Sequence, residues 1–292
     1  MIVVYELITL QLLNGIVLGS VYALMAIGLS LIFGVMKIVN FAHGEFYMIG
    51  GYMFFFMLSA FYLPVSIAIM MALIASFITG AIIALSVIRP LLTRPAFDTS
   101  NIVATIGLSV FLENFAMVFW GERTKGVPEF LTGSVNIVGT TFSFQRLAVV
   151  AVAALSFLFL WVYLKKTRLG MAIRATSSDL GAASLMGINT TGIYMATVGI
   201  GALLAGVAAI FMAPLYQIYP MMGIPNLLKA FVVVIFGGFG SIRGAIFGGY
   251  LIGIVEALAT VAFGAEWKDI PAFVVLIVVL VLRPTGLFGA KV

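Results

Sequence analysis

Glu45, Glu113, Glu256 and the single histidine, His43, lie inside stretches that are otherwise apolar. On insertion scales a charge at mid-membrane costs about 2.5 kcal/mol or more, so such residues face a cavity or a partner. Glu113 with Asn114, and Asn40 with His43 and Glu45, are therefore candidates for lining a polar path through the protein. Each has a plainer alternative. The carboxyls could be protonated or bonded between helices, and a lone histidine at a helix break could cap backbone. Covalent or hydrolytic chemistry has no support. The chain lacks H-E-x-x-H, G-x-S-x-G and the G-x-x-x-x-G-K-[ST] phosphate loop. Gly237-Gly238-Phe239-Gly240 lacks the third glycine of a dinucleotide fingerprint. With no cysteine, disulfides, zinc knuckles and thiol nucleophiles are excluded, and no metal site is expected.

The elements that must position these residues are spanning helices. Of 292 residues, 63% are hydrophobic and 9% charged, whereas a soluble domain carries about 25% charged residues to face water. The apolar blocks place spans near 7–30, 36–60, 64–88, 100–120, 144–164, 191–213, 226–241, 244–263 and 271–283, against the roughly 20 residues a helix needs to cross hydrocarbon. The strict alternation of a transmembrane barrel is absent. The expectation is an all-α polytopic bundle of about 8–9 spans, a single transmembrane domain over 1–292. Near 36–60 one span is interrupted by Asn40, His43 and Glu45 and is expected to be bent or re-entrant. Met1 to Leu10 has Glu6 and no basic region, so it does not read as a cleavable signal.

Basic residues set the orientation. With the N-terminus outside, Lys37, Arg89, Arg94, Lys165, Lys166, Arg168, Arg174, Arg243, Arg283 and Lys291 fall inside, and Arg123, Lys125, Arg146, Lys229 and Lys268 outside. This satisfies the positive-inside rule and also accounts for the net charge of +5. The outer loop 121–143 contains Ser134-Val135-Asn136-Ile137-Val138-Gly139, an alternating run with a turn glycine that predicts a short hairpin. The inner loop 165–190 opens with a basic cluster. There Ser177 or Ser178 could cap a short helix through Met186, ended by Gly187, with Leu180, Ala183 and Met186 on one stripe. Such a helix could lie on lipid headgroups or in a groove of a partner protein.

Thirty-one glycines point to close helix contacts. Gly15, Gly19 and Ala23 form one small-residue ridge, Gly240, Gly244 and Gly248 a second, and Ala245, Gly249, Gly253 and Ala257 a third. The ridges could pack helices within one bundle or join this chain to a second one. A weak internal echo, Ile32-Phe33-Gly34 and Ile235-Phe236-Gly237, each followed by a basic residue and a Gly-Gly-Tyr, hints at duplicated halves.

The run from Gly28-Leu29-Ser30-Leu31-Ile32-Phe33-Gly34 through Asn40-Phe41-Ala42-His43-Gly44-Glu45 to Gly50-Gly51-Tyr52 strongly resembles the smaller permease type of bacterial branched-chain amino acid ABC importers. Arg168 to Asn189, Ile235-Phe236-Gly237-Gly238 with Gly240-Ser241 and Gly244, and Arg283-Pro284-Thr285-Gly286-Leu287-Phe288-Gly289 also match, so the likeness covers nearly the whole chain. The resemblance implies a transport subunit of the inner membrane, not an enzyme, with a second homologous permease, two ATPase subunits that carry ATP and Mg, and a periplasmic solute-binding protein. It makes the inner loop the coupling segment, with Arg168, Arg174, Asp179, Leu180, Ala183, Met186 and Gly187 as its residues. The chain itself would hold no cofactor, and its other surroundings would be lipid, not nucleic acid. The family also handles urea, short amides and some organic acids, and an apolar, glycine-lined path suits a neutral or zwitterionic solute. From a different class, a stand-alone secondary transporter or channel could use the glutamates for ion coupling, though it would have no need of a docking helix.

Overall fold

The computed structural model describes residues 2–92 and 97–289, so Arg94 and Lys291 lie outside the described residues. Twelve helices and one small hairpin make up the described chain. The long α1 (Ile2–Met36) is the axis of the bundle. Every residue from Gly19 to Ile32 is buried, so the helix is enclosed on all sides, which is why its sequence is apolar all round. At about 1.5 Å per residue it exceeds the thickness of the hydrocarbon core and must tilt or project.

Lys37, in the left-handed region at φ 56°, stops α1, and its amide still reaches the Phe33 carbonyl. Residues 37–40 are non-helical, and α2 (His43–Ser59) begins after a turn at 41–42. The expected interruption is thus present, but it precedes His43, which opens the helix instead of breaking it. The Asn40 side chain organises the turn by accepting from the Ala42 amide at 3.0 Å.

The next helix, α3 (Val65–Ile83), runs through a π-helical turn (Ala84–Ile88) into α4 (Arg89–Leu91). It buries Ala68, Ala72, Ser76 and Gly80 at four-residue spacing and turns Ile67, Met70, Ile74 and Ile78 outward. That small stripe lets it lie close against α9 (Thr190–Met212). Beyond it come α5 (Phe97–Trp120), the hairpin and α6 (Phe144–Lys166). The hairpin pairs β1 (Ser134–Ile137) with β2 (Thr140–Ser143), with Val138 and Gly139 at positive φ as a tight primed turn requires. This matches the sequence expectation.

The inner segment forms two helices, α7 (Arg168–Ser178) and α8 (Leu180–Leu185). The cap of α8 differs from expectation: Asp179 accepts from the Ala182 amide at 2.9 Å. Ser177 is diverted, its hydroxyl donating to the Gly34 carbonyl at 2.8 Å, and Ser178 bonds back to Arg174. Gly187, at φ 80°, ends the helix.

The fold closes with α10 (Gly223–Gly237), preceded by a 3-10 turn (Pro220–Met222), then α11 (Ile242–Phe263) and α12 (Ile270–Leu282). The first and third glycine ridges face each other. A methyl group added at Gly15 would sit 2.8 Å from Ile254 Cα, at Gly19 2.7 Å from Tyr250 Cα, and at Gly249 2.8 Å from Ala23 Cα. These ridges are therefore occupied within the chain, where α1 makes its most extensive helix contact. Gly244 and Gly248 pack α11 on Gly237, Val233 and Phe236 of α10. Gly240 lies off that ridge, in the turn before α11 at φ 78°, because Ser241 caps the helix by accepting from the Gly244 amide. Among the described residues, seven helices are long and apolar enough to cross a membrane. Two further helices, α2 with 17 residues and α12 with 13, are shorter.

Candidate functional site

Two polar regions lie inside this apolar bundle. The larger is a chamber of about 590 Å³ at the end of the bundle where α10 and α12 begin and α11 finishes. One stripe of α1, Gln11, Asn14, Leu18 and Tyr22, forms a wall. These positions recur at helical spacing, so a single face of α1 runs the depth of the cavity. Tyr47, Arg146, Met222, Lys229 and Glu256 contribute other walls.

Charge is concentrated at one side of the chamber. Lys229 Nζ stands 3.1 Å from Glu256 Oε2 and 2.8 Å from Asp269 Oδ1. Tyr22 donates its hydroxyl proton to the same Glu256 oxygen at 3.0 Å. The Lys229 and Glu256 side chains are 8% and 4% exposed, while Asp269 is 52% exposed. Four elements (α1, α10, α11 and the segment before α12) are thus tied together by charge-assisted bonds, which are stronger than neutral ones. Higher on the α1 stripe, Arg146 donates to Asn14 Oδ1 at 2.6 Å, and its guanidinium lies 5.7 Å from the Phe142 ring.

The second region is the seam between α2 and α5. Asn101, Thr105, Ser109 and Glu113 recur every four residues on α5 and are all buried, whereas Val103, Val110, Phe111 and Phe119 face outward. The helix is therefore amphipathic in the inverted sense, with its polar stripe toward the protein. Ser109 donates to Glu45 Oε1 at 2.8 Å, and Asn101 donates to the Val39 carbonyl at 3.0 Å. His43 lies 3.1 Å by its Nε2 from the Met25 carbonyl. A carbonyl can only accept, so Nε2 carries the proton. Among the described residues, Glu45 Oε2, Asn40 Nδ2 and His43 Nδ1 are buried without a hydrogen-bond partner.

The residues singled out in sequence thus divide. Asn40, His43, Glu45 and Glu113 lie in or beside the seam and do not line the chamber. Tyr47, two residues after Glu45 and so about 200° around the helix, does line it. Asn114 is on the exposed side of α5 and bonds back to the Val110 carbonyl at 2.7 Å. Glu256, noted in sequence for its depth, is a chamber residue. Lys229, counted with the outer loops, is inside α10 and buried. Ser109 and Asn101 also belong to the seam, and the signal for them in the sequence is their four-residue spacing with Glu113. In the inner segment Ala183 is 4% exposed and turned into the chain, so it shares no surface with Leu180 and Met186. Leu185 and Met186 are 90% and 84% exposed.

The described residues thus form a multi-pass helical bundle with a chamber walled by paired charges. Residues 11–280 match the family described as branched-chain amino acid transport system / permease component, and the chain belongs to that family. The high-affinity branched-chain amino acid transport system permease protein LivH of Salmonella typhimurium is 37% identical over 96% of this chain and 94% of its own. The corresponding BraD protein of Pseudomonas aeruginosa is 36% identical over 96% and 95%. A more remote relative, the autoinducer 2 import system permease protein LsrC of Shigella flexneri, is 28% identical over 73% of this chain and 60% of its own. Among solved structures, PsaBC from Streptococcus pneumoniae in complex with Fab superposes with a TM-score of 0.51 over 93% of this chain and 91% of that one. At 13% identity that likeness is one of fold alone.

Proposed function

We propose that this chain is the membrane-spanning subunit of an ATP-driven importer in the bacterial inner membrane, passing a small branched-chain or hydrophobic amino acid inward. The family match over residues 11–280 is the observation that carries this reading. A periplasmic binding protein delivers the solute to the chamber, and a second homologous permease completes the pathway. Two ATPase subunits hold the ATP and Mg, so this chain needs no cofactor of its own. The N-terminus is periplasmic and the C-terminus cytoplasmic, as the distribution of Lys and Arg favours. The whole of 1–292 acts as one permease domain.

The α7–α8 segment is the handle for the ATPases. It follows the basic cluster Lys165, Lys166 and Arg168 and presents Leu185 and Met186 to the outside. Exposed apolar side chains on a polar inner loop need a partner. The test is uptake of radiolabelled L-leucine into proteoliposomes holding both permeases, the ATPases and the binding protein. Uptake should require ATP, and Leu185→Asp with Met186→Asp should abolish it while the chain still folds. Ala183→Asp and Gly187→Trp should also uncouple, but less cleanly, because Ala183 is buried and Gly187 has φ 80°. Leucine transport by this chain alone would overturn the proposal.

A further inference from the structure

The Lys229–Glu256 pair is deeply set, yet both residues line the chamber instead of packing against lipid. Each is oriented by a second group: Lys229 by Asp269 at 2.8 Å, and Glu256 by the Tyr22 hydroxyl at 3.0 Å. An ammonium and a carboxylate 3.1 Å apart in a cavity wall present one positive and one negative site side by side. An α-amino acid carries its own ammonium and carboxylate on a single carbon, with the same close spacing and the opposite order.

Resting on the importer reading above, we infer that Lys229 and Glu256 form the subsite for the charged head group of a zwitterionic solute. The solute carboxylate lies on Lys229 Nζ and its ammonium on the Glu256 carboxylate, so one ion pair is exchanged for two. Its apolar side chain lies against Val17, Leu18 and Met222, which line the same chamber. Tyr22 keeps the Glu256 carboxylate aimed at the cavity, and Asp269 keeps Lys229 neutralised while Glu256 is engaged.

The arrangement discriminates by what it leaves unpaired. A monocarboxylate would satisfy Lys229 while setting its own charge beside Glu256. An amine or amide would leave Lys229 facing a cation or a neutral group. A like charge set beside Glu256, or the loss of the second carboxylate that Lys229 holds, is disfavoured in this buried setting, so rejection of near relatives follows from the same two residues that bind the zwitterion.

The experiment uses the assembled complex in lipid nanodiscs, without the binding protein, and measures binding of L-leucine, leucinamide and 4-methylpentanoate by saturation-transfer NMR. The native complex should prefer leucine to both analogues by about tenfold or more. Glu256→Gln should weaken leucine by a similar factor and leave 4-methylpentanoate unweakened, since Lys229 is still paired by Asp269. The Lys229→Gln, Glu256→Gln double variant removes both charges of the pair, and should lose the preference altogether. A merely structural ion pair would weaken all three ligands together. Equal binding of leucine and leucinamide by the native complex, no leucine binding at all, or a parallel loss of leucine and 4-methylpentanoate in Glu256→Gln would each overturn the assignment. ATP-driven leucine uptake by the native complex in proteoliposomes, with the binding protein added, separates the two levels. If uptake stands and the ligand split fails, only the subsite is lost; if uptake fails, the importer reading falls with it.

Discussion

Lys229 balances charge in the chamber from a position where a free ammonium would be costly. Two carboxylates meet it, one deep and one half in water. Burial opposes ionisation of Asp269, but the hydrogen bond and positive charge of Lys229, with Lys268 behind it, outweigh that and hold its carboxyl below the usual aspartate range. A depressed folded value means that the ionised form stabilises the fold at every pH above the unfolded value of about 3.9. The contribution fades as pH falls through that value toward the lower folded one. Asp269→Asn should therefore lower the thermal midpoint of the detergent-solubilised protein by an equal margin between about pH 6 and 8, with the difference shrinking in more acid solution. Because Asp269 is half exposed, solvent screening keeps the effect at about 1 kcal/mol or less. A margin that widened on acidification would contradict the assignment.

At the scale of elements, the bundle depends on how near its backbones come. In lipid, burial of apolar surface does not drive helices together, so van der Waals contact between small residues must do it. The Gly15-Gly19-Ala23 face of α1 against the Gly249-Gly253-Ala257 face of α11 is that contact here. Gly19→Leu should destabilise by about 3 kcal/mol or more, because the new side chain would meet Tyr250 backbone and not a movable tip. Gly107 of α5 has nothing within 4 Å of the added methyl position, so Gly107→Ala should be tolerated. Thermal unfolding of the two purified variants checks the pair, and a similar loss in both would argue against ridge packing. The C-terminal run uses glycine differently. Leu287 and Phe288 donate their amides to the carbonyls of Phe236 and Gly237, bringing two glycine-rich motifs from distant parts of the chain into one joint.

At the scale of the whole molecule, orientation is open to direct measurement because the chain has no cysteine. With the chain expressed in cells, Ser134→Cys in the hairpin should react with a membrane-impermeant maleimide from the periplasmic side. Leu185→Cys, after α8, should react only once the cytoplasmic face is opened. Labelling of both from one side would reverse or refute the orientation.

Composition and periodicity were sufficient for the helical bundle, because a chain with so few charges cannot solvate a globule and its apolar runs match membrane thickness. The hairpin was legible for an equally local reason: alternation and a turn glycine act within ten residues. The same is true of the three glycine ridges as ridges. Which ridge met which was not, since α1 and α11 lie at opposite ends of the sequence. Sequence offers Ser177 or Ser178 as the cap of α8, because the competing partner of Ser177, the Gly34 carbonyl, is a tertiary neighbour that local pattern does not show. The polar residues show the division most clearly. Sequence could say that Glu45, Glu113 and Glu256 must each find a partner in the membrane. Only the fold decided that Glu45 turns to Ser109 in a helix seam while Glu256 joins Tyr22 and Lys229 in a chamber wall. The cost of burying a charge is a property of the residue, but the group that offsets it is supplied by whatever helix the packing brings alongside.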